Sequence, residues 1–355
     1  MDGEENPLDA AERLMAEGRP AEAAKILAAG RGGLLARLLL AKAYLAAGDV
    51  ASALETARET AFLNPDLAAG VMGLGEALLA AEALPAAICE FQRALRIDPA
   101  LDTARFLLGK AWLAAGETER ALAVFTELPS DLCGLAQAIA AAEAMRLAPR
   151  SDAGYVRHLF DQFSGDYDAR MLGQLRYRAP QILRELYGLI APGAEKRAVL
   201  DLGCGTGLGG AAFRDVAARL DGVDLSPKML EKAKARGIYD LLTLADLETP
   251  PVRKGYDLAL AADTLVYIGD LKAPFSCAHM ALKTGGFFLF TVERWDGDGF
   301  ELGPKRRWRH SEGYLRRTAE IAGFDLTGLL SCVPRVERGV DVPGFAVAIR
   351  KKEIL

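Results

Sequence analysis

The sequence is short of the residues on which much enzyme chemistry rests. Its 355 residues include three histidines and five cysteines, Cys89, Cys133, Cys204, Cys277 and Cys332, none in a C-x-x-C pair. Neither a zinc ribbon nor a disulfide framework fits that spacing, so no metal site is expected. No uninterrupted apolar run approaches the roughly 18 residues of a membrane span, and the acidic start Met1-Asp2-Gly3-Glu4-Glu5 is unlike a secretory signal. The expected address is the cytoplasm, away from membranes. A basic excess is missing too: 43 Lys and Arg face 48 Asp and Glu, a formal net charge of −5. That speaks against a nucleic-acid partner. What is plentiful is apolar: 51% of the chain is hydrophobic, enough for about two domains with cores of their own.

The first part of the chain repeats. Gly48, Glu82 and Gly116 recur at a spacing of 34, as do Ala53, Ala87 and Ala121. Leu40-Ala41, Leu74-Gly75 and Leu108-Gly109 keep the same register, with Tyr44, Leu78 and Trp112 one turn later. Gly18 and Ala23 fill these places in a shorter first unit. The pattern is that of tetratricopeptide repeats, about four helical hairpins over residues 4–128 stacked as an α-solenoid. Residues 129–154 read as an apolar closing helix and a linker. Such an array presents a groove to a peptide or to another copy of itself, or else packs as a rigid appendage.

The second part opens on Val199-Leu200-Asp201-Leu202-Gly203-Cys204-Gly205-Thr206-Gly207, an apolar strand running into a glycine turn. Glycine lets the backbone approach a ligand closely while the following helix points its first N–H groups at it. The run Gly205–Gly210 also satisfies the dinucleotide pattern G-x-G-x-x-G. Asp201 argues against a pyrophosphate: an acid about 6 Å from a bound charge contributes ~3 kcal/mol at an effective dielectric near 20, favouring a cation and opposing an anion. S-adenosylmethionine carries an ammonium and a sulfonium. A helix over 211–220 and a second strand ending in Asp224 follow, with a carboxylate placed for ribose hydroxyls. Ser226 caps the next helix with Pro227 at its first position. A third strand ends near Asp246, and a fourth, Tyr256 to Asp263, leads to Tyr267. Ligands of open α/β sheets bind outside the carboxyl ends of the strands, so these tips share one crevice.

On these residues, with Leu282-Lys283-Thr284-Gly285-Gly286 before a further strand, residues 155–350 resemble class I S-adenosylmethionine-dependent methyltransferases. Within them the chain resembles a bacterial group carrying N-terminal tetratricopeptide repeats. Thr284 stands where that family usually has proline. The resemblance implies a doubly wound, Rossmann-like domain. It also implies that the glycine turn (Gly203, Gly205, Gly207) holds the methionine part, Asp224 and Leu225 the ribose, and Asp246 with Leu247 the adenine, beside Ala262. A helical segment ahead of the first strand closes over the cofactor in that family, which makes Tyr167 and Arg178 candidates there. Phe324–Val333 and Val342–Arg350 form an antiparallel pair around Gly339.

Methyl transfer is an in-line displacement whose barrier yields largely to positioning, so a base is needed only for some acceptors. Tyr267 and His310 are the candidates. The acceptor is expected to be a small molecule; the alternatives are a protein selected by the repeats, or a scaffold whose α/β domain only senses cofactor. An NAD-dependent oxidoreductase is disfavoured by Asp201. Lys305-Arg306-Arg307-Trp308-Arg309-His310 is a basic cluster, either a solvated loop or a site for an anionic acceptor.

Overall fold

The computed structural model describes residues 6–30, 32–193, 196–248, 253–303 and 306–353, and the chain divides into two compact units, Met1–Leu147 and Ala148–Leu355. The first positions of the expected array lie outside the described residues.

In the first unit the helices are α1 (Pro7–Ala16), α2 (Pro20–Ala29), α3 (Leu34–Ala46), α4 (Val50–Leu63), α5 (Ala68–Ala80), α6 (Leu84–Ile97), α7 (Asp102–Ala114), α8 (Thr118–Phe125) and α9 (Leu135–Leu147). Each packs mainly on its neighbours in the chain. Ala23, Ala53, Ala87 and Ala121 are all fully buried, which lets paired helices approach. Gly18, Gly48 and Gly116 turn the chain at φ of 73°, 79° and 73°, and Glu82 adopts the same left-handed conformation at 56°. The helix faces are matched in size. A Cβ on Gly75 would lie 2.6 Å from Phe91 Cε1, and one on Gly109 2.7 Å from Phe125 Cδ1. At the same offset one repeat earlier, Ala41 and Ala57 share a cluster, so small faces small where no ring is present. The closing helix expected within residues 129–154 is α9, which begins at Leu135.

The second unit starts with α10 (Ala153–Phe163), a short turn α11 (Tyr167–Ala169) running into a π-type turn at Arg170–Gln174, and α12 (Ala179–Ile190). Then come β1 (Arg197–Leu202), α13 (Leu208–Phe213), β2 (Ala217–Asp224), α14 (Pro227–Ala235), β3 (Leu241–Leu244), β4 (Tyr256–Ala261), α15 (Lys272–Ala281), β5 (Leu282–Arg294), β6 (Phe300–Leu302), β7 (Trp308–His310), α16 (Glu312–Ile321), β8 (Phe324–Glu337) and β9 (Val340–Lys351). The helix expected over 211–220 is corrected. It is the six-residue α13, and β2 already begins at Ala217 because Arg219 and Leu220 pair with Ala198 and Val199 of β1. Val216, Ala217 and Leu220 have helical spacing, but the sheet claims them.

Strands β3, β2, β1, β4 and β5 lie side by side in that order and pair in parallel. β9 then joins β5 antiparallel, and β8 joins β9. The β6–β7 hairpin pairs with the far end of β5 at Glu293 and Arg294. Strand residues alternate between two cores, as side chains two apart must. Leu200, Ala259, Phe288, Phe290 and Val347 face one core with Phe275 of α15 and Leu315 of α16. Val199, Leu258, Leu260, Leu289 and Ala346 face the other with Leu183 of α12 and Phe213 of α13. Both faces of the mixed sheet are therefore covered, which is the doubly wound arrangement. The order reverses between β1 and β4, opening a crevice at their carboxyl ends.

Candidate functional site

The crevice holds a cavity lined by Gly203, Gly205, Asp224, Leu225, Asp246, Leu247, Ala262, Asp263, Thr264 and Tyr267, with Arg150, Ser151, Val156, Phe160, Tyr167 and Ile268 completing its walls. Eight residues expected at a ligand site thus meet there: Gly203, Gly205, Asp224, Leu225, Asp246, Leu247, Ala262 and Tyr167. Tyr267 is a ninth.

The glycine turn is locked to its surroundings. Gly203 (φ 70°) sits against Thr264, whose Oγ1 would be 2.6 Å from an added Cβ. Gly205 (φ 54°) has open space where a Cβ would be, so its backbone faces the cavity bare. Its N–H donates to Asp224 Oδ2 at 2.8 Å, and Ser226 N–H donates to Oδ1 at 2.8 Å. Burial pushes the Asp224 carboxyl up to about 6 although the N–H groups of Ser226, Gly205 and Leu225 oppose the shift. The carboxylate keeps acceptor capacity for a further donor. A buried carboxylate in that condition fits the paired hydroxyls of a ribose. Ser226 caps α14, accepting from Met229 N–H at 3.0 Å, with Pro227 at the first position.

Four expectations are corrected by the structure. Asp201 does not line the cavity. It lies beneath the turn, 1% exposed, where it accepts from Tyr239 Oη at 2.7 Å, and burial pushes it up to about 6. It braces the start of α13 instead of facing a ligand. Arg178 is exposed at the start of α12, 3.5 Å from Glu185; the neighbouring Tyr177 is the buried ring, donating to Ala262 O at 3.1 Å. His310 is 0% exposed, stacked on Tyr314, with Nε2 3.0 Å from Gly269 O. Burial pushes it down to about 4, and no acceptor reaches a ring packed in this way. Gly207 is not at the cavity wall either; it starts α13 at φ 96° against Arg236 and Tyr239.

Tyr267 and Tyr167 flank Phe160, with edge-on ring contacts at 5.4 and 6.1 Å. Burial raises both hydroxyls above the ordinary tyrosine value, so each stays protonated at neutral pH. Tyr267 is therefore a hydrogen-bond donor, not a resting base.

The segment ahead of β1 is fastened across the cavity at three places. Arg150 donates to Asp246 Oδ2 at 2.9 Å and pairs with Glu248, beyond β3. Asp161 accepts from Ser226 Oγ, beyond β2. Asp168 accepts from Thr206 Oγ1 at 2.5 Å and pairs with Arg236, beyond β1. Residues 149–151, within the expected linker, are themselves bonded to the rest of the second unit. Ser151 N–H donates to Tyr267 O at 2.8 Å, and Gly269 N–H to Pro149 O at 2.7 Å.

The basic cluster is absorbed by pairing. Arg307 pairs with Glu337 and lies over the Tyr267 ring at 5.9 Å. Arg309 reaches Glu301 at 3.1 Å and stacks on Trp295. Arg306 lies over Tyr155, and Lys305 is outside the described residues. The sequence places Asp263 at a strand tip in the crevice without giving it a role, and singles out neither Arg150 nor Arg335. Arg335 is 1% exposed and pairs with Asp263, Glu293 and Glu337. Its one local signal is a lone arginine in the apolar run Val333-Pro334-Arg335-Val336. An extra residue between Cys332 and Arg335 forms a bulge there, and bulges re-aim side chains.

Among the described residues no group of His, Cys, Asp and Glu could hold a metal ion, and no helix is long and apolar enough to cross a membrane.

Residues 200–290, from β1 through most of β5, match the family model described as a methyltransferase domain. Within the second unit, β1 through most of β5 are thus similar to a methyltransferase domain. The chain is 40% identical over 97 residues to methyltransferase-like protein 27 of Homo sapiens, a match spanning 27% of this chain and 39% of that protein. It is 33% identical over 150 residues to malonyl-[acyl-carrier protein] O-methyltransferase of Geobacter sulfurreducens, spanning 41% of this chain and 54% of that one. Of solved structures, the Burkholderia thailandensis 1,6-didemethyltoxoflavin-N1-methyltransferase, with 1,6-didemethyltoxoflavin and S-adenosylhomocysteine bound, covers 58% of this chain with 93% of its own at 19% identity and a TM-score of 0.46. The chain therefore spans about two fifths to a half of the length of these curated relatives.

Proposed function

We propose that the chain transfers the methyl group of S-adenosylmethionine to a small-molecule acceptor, and that the helical hairpins of the first unit are tetratricopeptide repeats that engage a protein partner or a second copy. The observation that carries the first part is the convergence of Asp224, Asp246 and the bare Gly205 backbone on one cavity closed by aromatic rings. Bound there, the cofactor supplies a methyl group on a positively charged sulfur. Asp224 would accept the ribose hydroxyls, and Asp246, beside Arg150, the adenine amino group through the lone pair that Arg150 leaves on Oδ2. Tyr167, Phe160 and Tyr267 exclude water, and a ring face attracts a cation. Tyr267, protonated and at the mouth beside Arg307, would orient the acceptor by donating to it. Positioning of this kind contributes on the order of 7–11 kcal/mol to a displacement. An anionic acceptor is less favoured, because Arg307 and Arg309 already have carboxylate partners.

A second reading has support from the names of several relatives, which are O-methyltransferases of a malonyl group on an acyl-carrier protein: the acceptor atom would belong to a group carried by a protein held on the repeats. One experiment decides. Full-length protein is incubated with methyl-labelled S-adenosylmethionine and cell extract, and label is separated into protein and small-molecule fractions. We expect label in small molecules. Label confined to protein overturns that acceptor class, and binding without any transfer reduces the domain to a sensor.

A further inference from the structure

We propose that Asp263 is the carboxylate that meets the sulfonium of the cofactor, and that the ion cluster behind it makes the site hold the charged sulfonium more tightly than the neutral thioether left after transfer. The inference rests on the cofactor reading above and adds to it a residue and a selectivity. Place is the first argument. The tips of β3, β2, β1 and β4 lie side by side and present Asp246, Asp224, the glycine turn and Asp263 in that order. With adenine and ribose at the first two, the methionyl end falls at the last two; its ammonium and carboxylate offset each other, and the sulfonium is the uncompensated charge. Asp201, expected to answer that charge, is turned away beneath the turn toward Tyr239.

Conformation is the second. Asp263 has a φ of 57°, a left-handed backbone that is uncommon outside glycine and collects at functional sites. Its N–H donates to Thr291 Oγ1 at 2.8 Å and its carboxylate pairs with Arg335. Charge is the third. Arg335 also pairs with Glu293 and Glu337, and Arg307 pairs with Glu337 and lies 3.7 Å from Glu293. Three carboxylates face two guanidiniums, leaving one negative charge; Arg335 and Asp263 are almost fully buried, while Glu293, Arg307 and Glu337 also line a second cavity. Such an excess attracts a cation strongly and a neutral sulfur hardly at all. Arg335 is here a positioning residue: it lies behind Asp263, not at the cavity wall.

The test is calorimetric titration of the full chain with S-adenosylmethionine and, separately, with S-adenosylhomocysteine. Asp263→Asn keeps the side-chain size, and asparagine tolerates the left-handed backbone; thermal unfolding checks the fold. We expect its affinity for S-adenosylmethionine to fall by about tenfold or more and that for the thioether by no more than about threefold. Glu337→Gln removes one acid without touching the cofactor cavity and shifts the same ratio in the same direction, so it carries the test if Asp263→Asn does not fold. Equal losses for both ligands, or an unchanged ratio, overturn the proposal. A wild-type chain that binds neither ligand overturns the cofactor reading itself.

Discussion

Replacing Gly203 by alanine tests whether the glycine turn and the loop after β4 are built as one piece. Gly203 adopts φ 70°, and an added Cβ would stand 2.6 Å from Thr264 Oγ1 and 2.9 Å from its Cβ. A left-handed non-glycine residue costs about 1–2 kcal/mol. Wedging a methyl group into a packed contact costs about 1–3 kcal/mol more. The sum, roughly 2–5 kcal/mol, is a large fraction of an ordinary domain's stability. Thr264→Ala alone removes hydroxyl bonds to Gly203 O and Ala262 O, both 3.3 Å, at a cost of about 1 kcal/mol. In the double variant the two costs should not add. Removing Oγ1 and Cγ2 relieves part of the crowding, although the Cβ at 2.9 Å stays, so a coupling of about 1 kcal/mol is expected between residues in direct contact. Urea unfolding followed by circular dichroism gives each stability, and titration calorimetry gives the cofactor affinity. Gly205→Ala is the control. It meets no protein atom, so it should cost less stability but intrude on the cavity and weaken binding. If Gly203→Ala loses less than about 1 kcal/mol and binds normally, the close approach to Thr264 does not matter and the reasoning fails.

Acid should weaken cofactor binding before it unfolds the chain. With Asp224 titrating near 6, lowering the pH from 7.5 to 5.5 leaves about a quarter of it ionised, an affinity loss of about fourfold if the carboxylate is the binding form; a flat profile in calorimetry would remove Asp224 from the ribose site. The sign for stability is opposite. Asp201 and Asp224 titrate higher in the fold than in the unfolded chain, near 3.9, so their ionisation costs the fold as pH rises through 6 and protonation relieves that cost. In the first unit, Glu82→Gly should stabilise by about 0.5–1 kcal/mol, since relief of left-handed strain outweighs the added freedom of the unfolded chain. A lower unfolding midpoint would show that the Glu82 side chain supplies more than its backbone costs.

What could be read from the sequence alone was what neighbouring residues decide. β1, β2 and β4 end where their apolar runs end, Ser226 caps α14 as a serine before proline should, and the last hairpin turns at Gly339 as expected. In the array the 34-residue register located both the buried alanines and the left-handed turns. Errors came where distant residues compete. Ala217–Leu220 has helical spacing, but β1 was waiting for a parallel partner. Asp201 was assigned to the ligand from its charge and position, yet Tyr239, 38 residues on, takes its oxygen. Arg178 and Arg150 look alike in sequence; only folding puts one in solvent and the other against Asp246. His310 stands in a basic run, but its ring belongs to a packed turn. Arg335 and Asp263 are 72 residues apart, and nothing local joins them.

The residues just before α10 bear on how such a module can be inherited. Pro149, Arg150 and Ser151 are bonded to the turn at Tyr267–Gly269, and Arg150 and Ser151 form part of the cavity wall. The compositional change in the sequence suggests a seam at residue 155, but the compact units part at Leu147 and Ala148. A recombination event that joined new coding sequence at Tyr155 would deliver a domain whose motifs were all intact and whose pocket had lost a side. One that cut at Ala148 would deliver the pocket whole. Selection on rearranged genes should therefore preserve these seven residues with the domain they precede, however freely the helices upstream are exchanged.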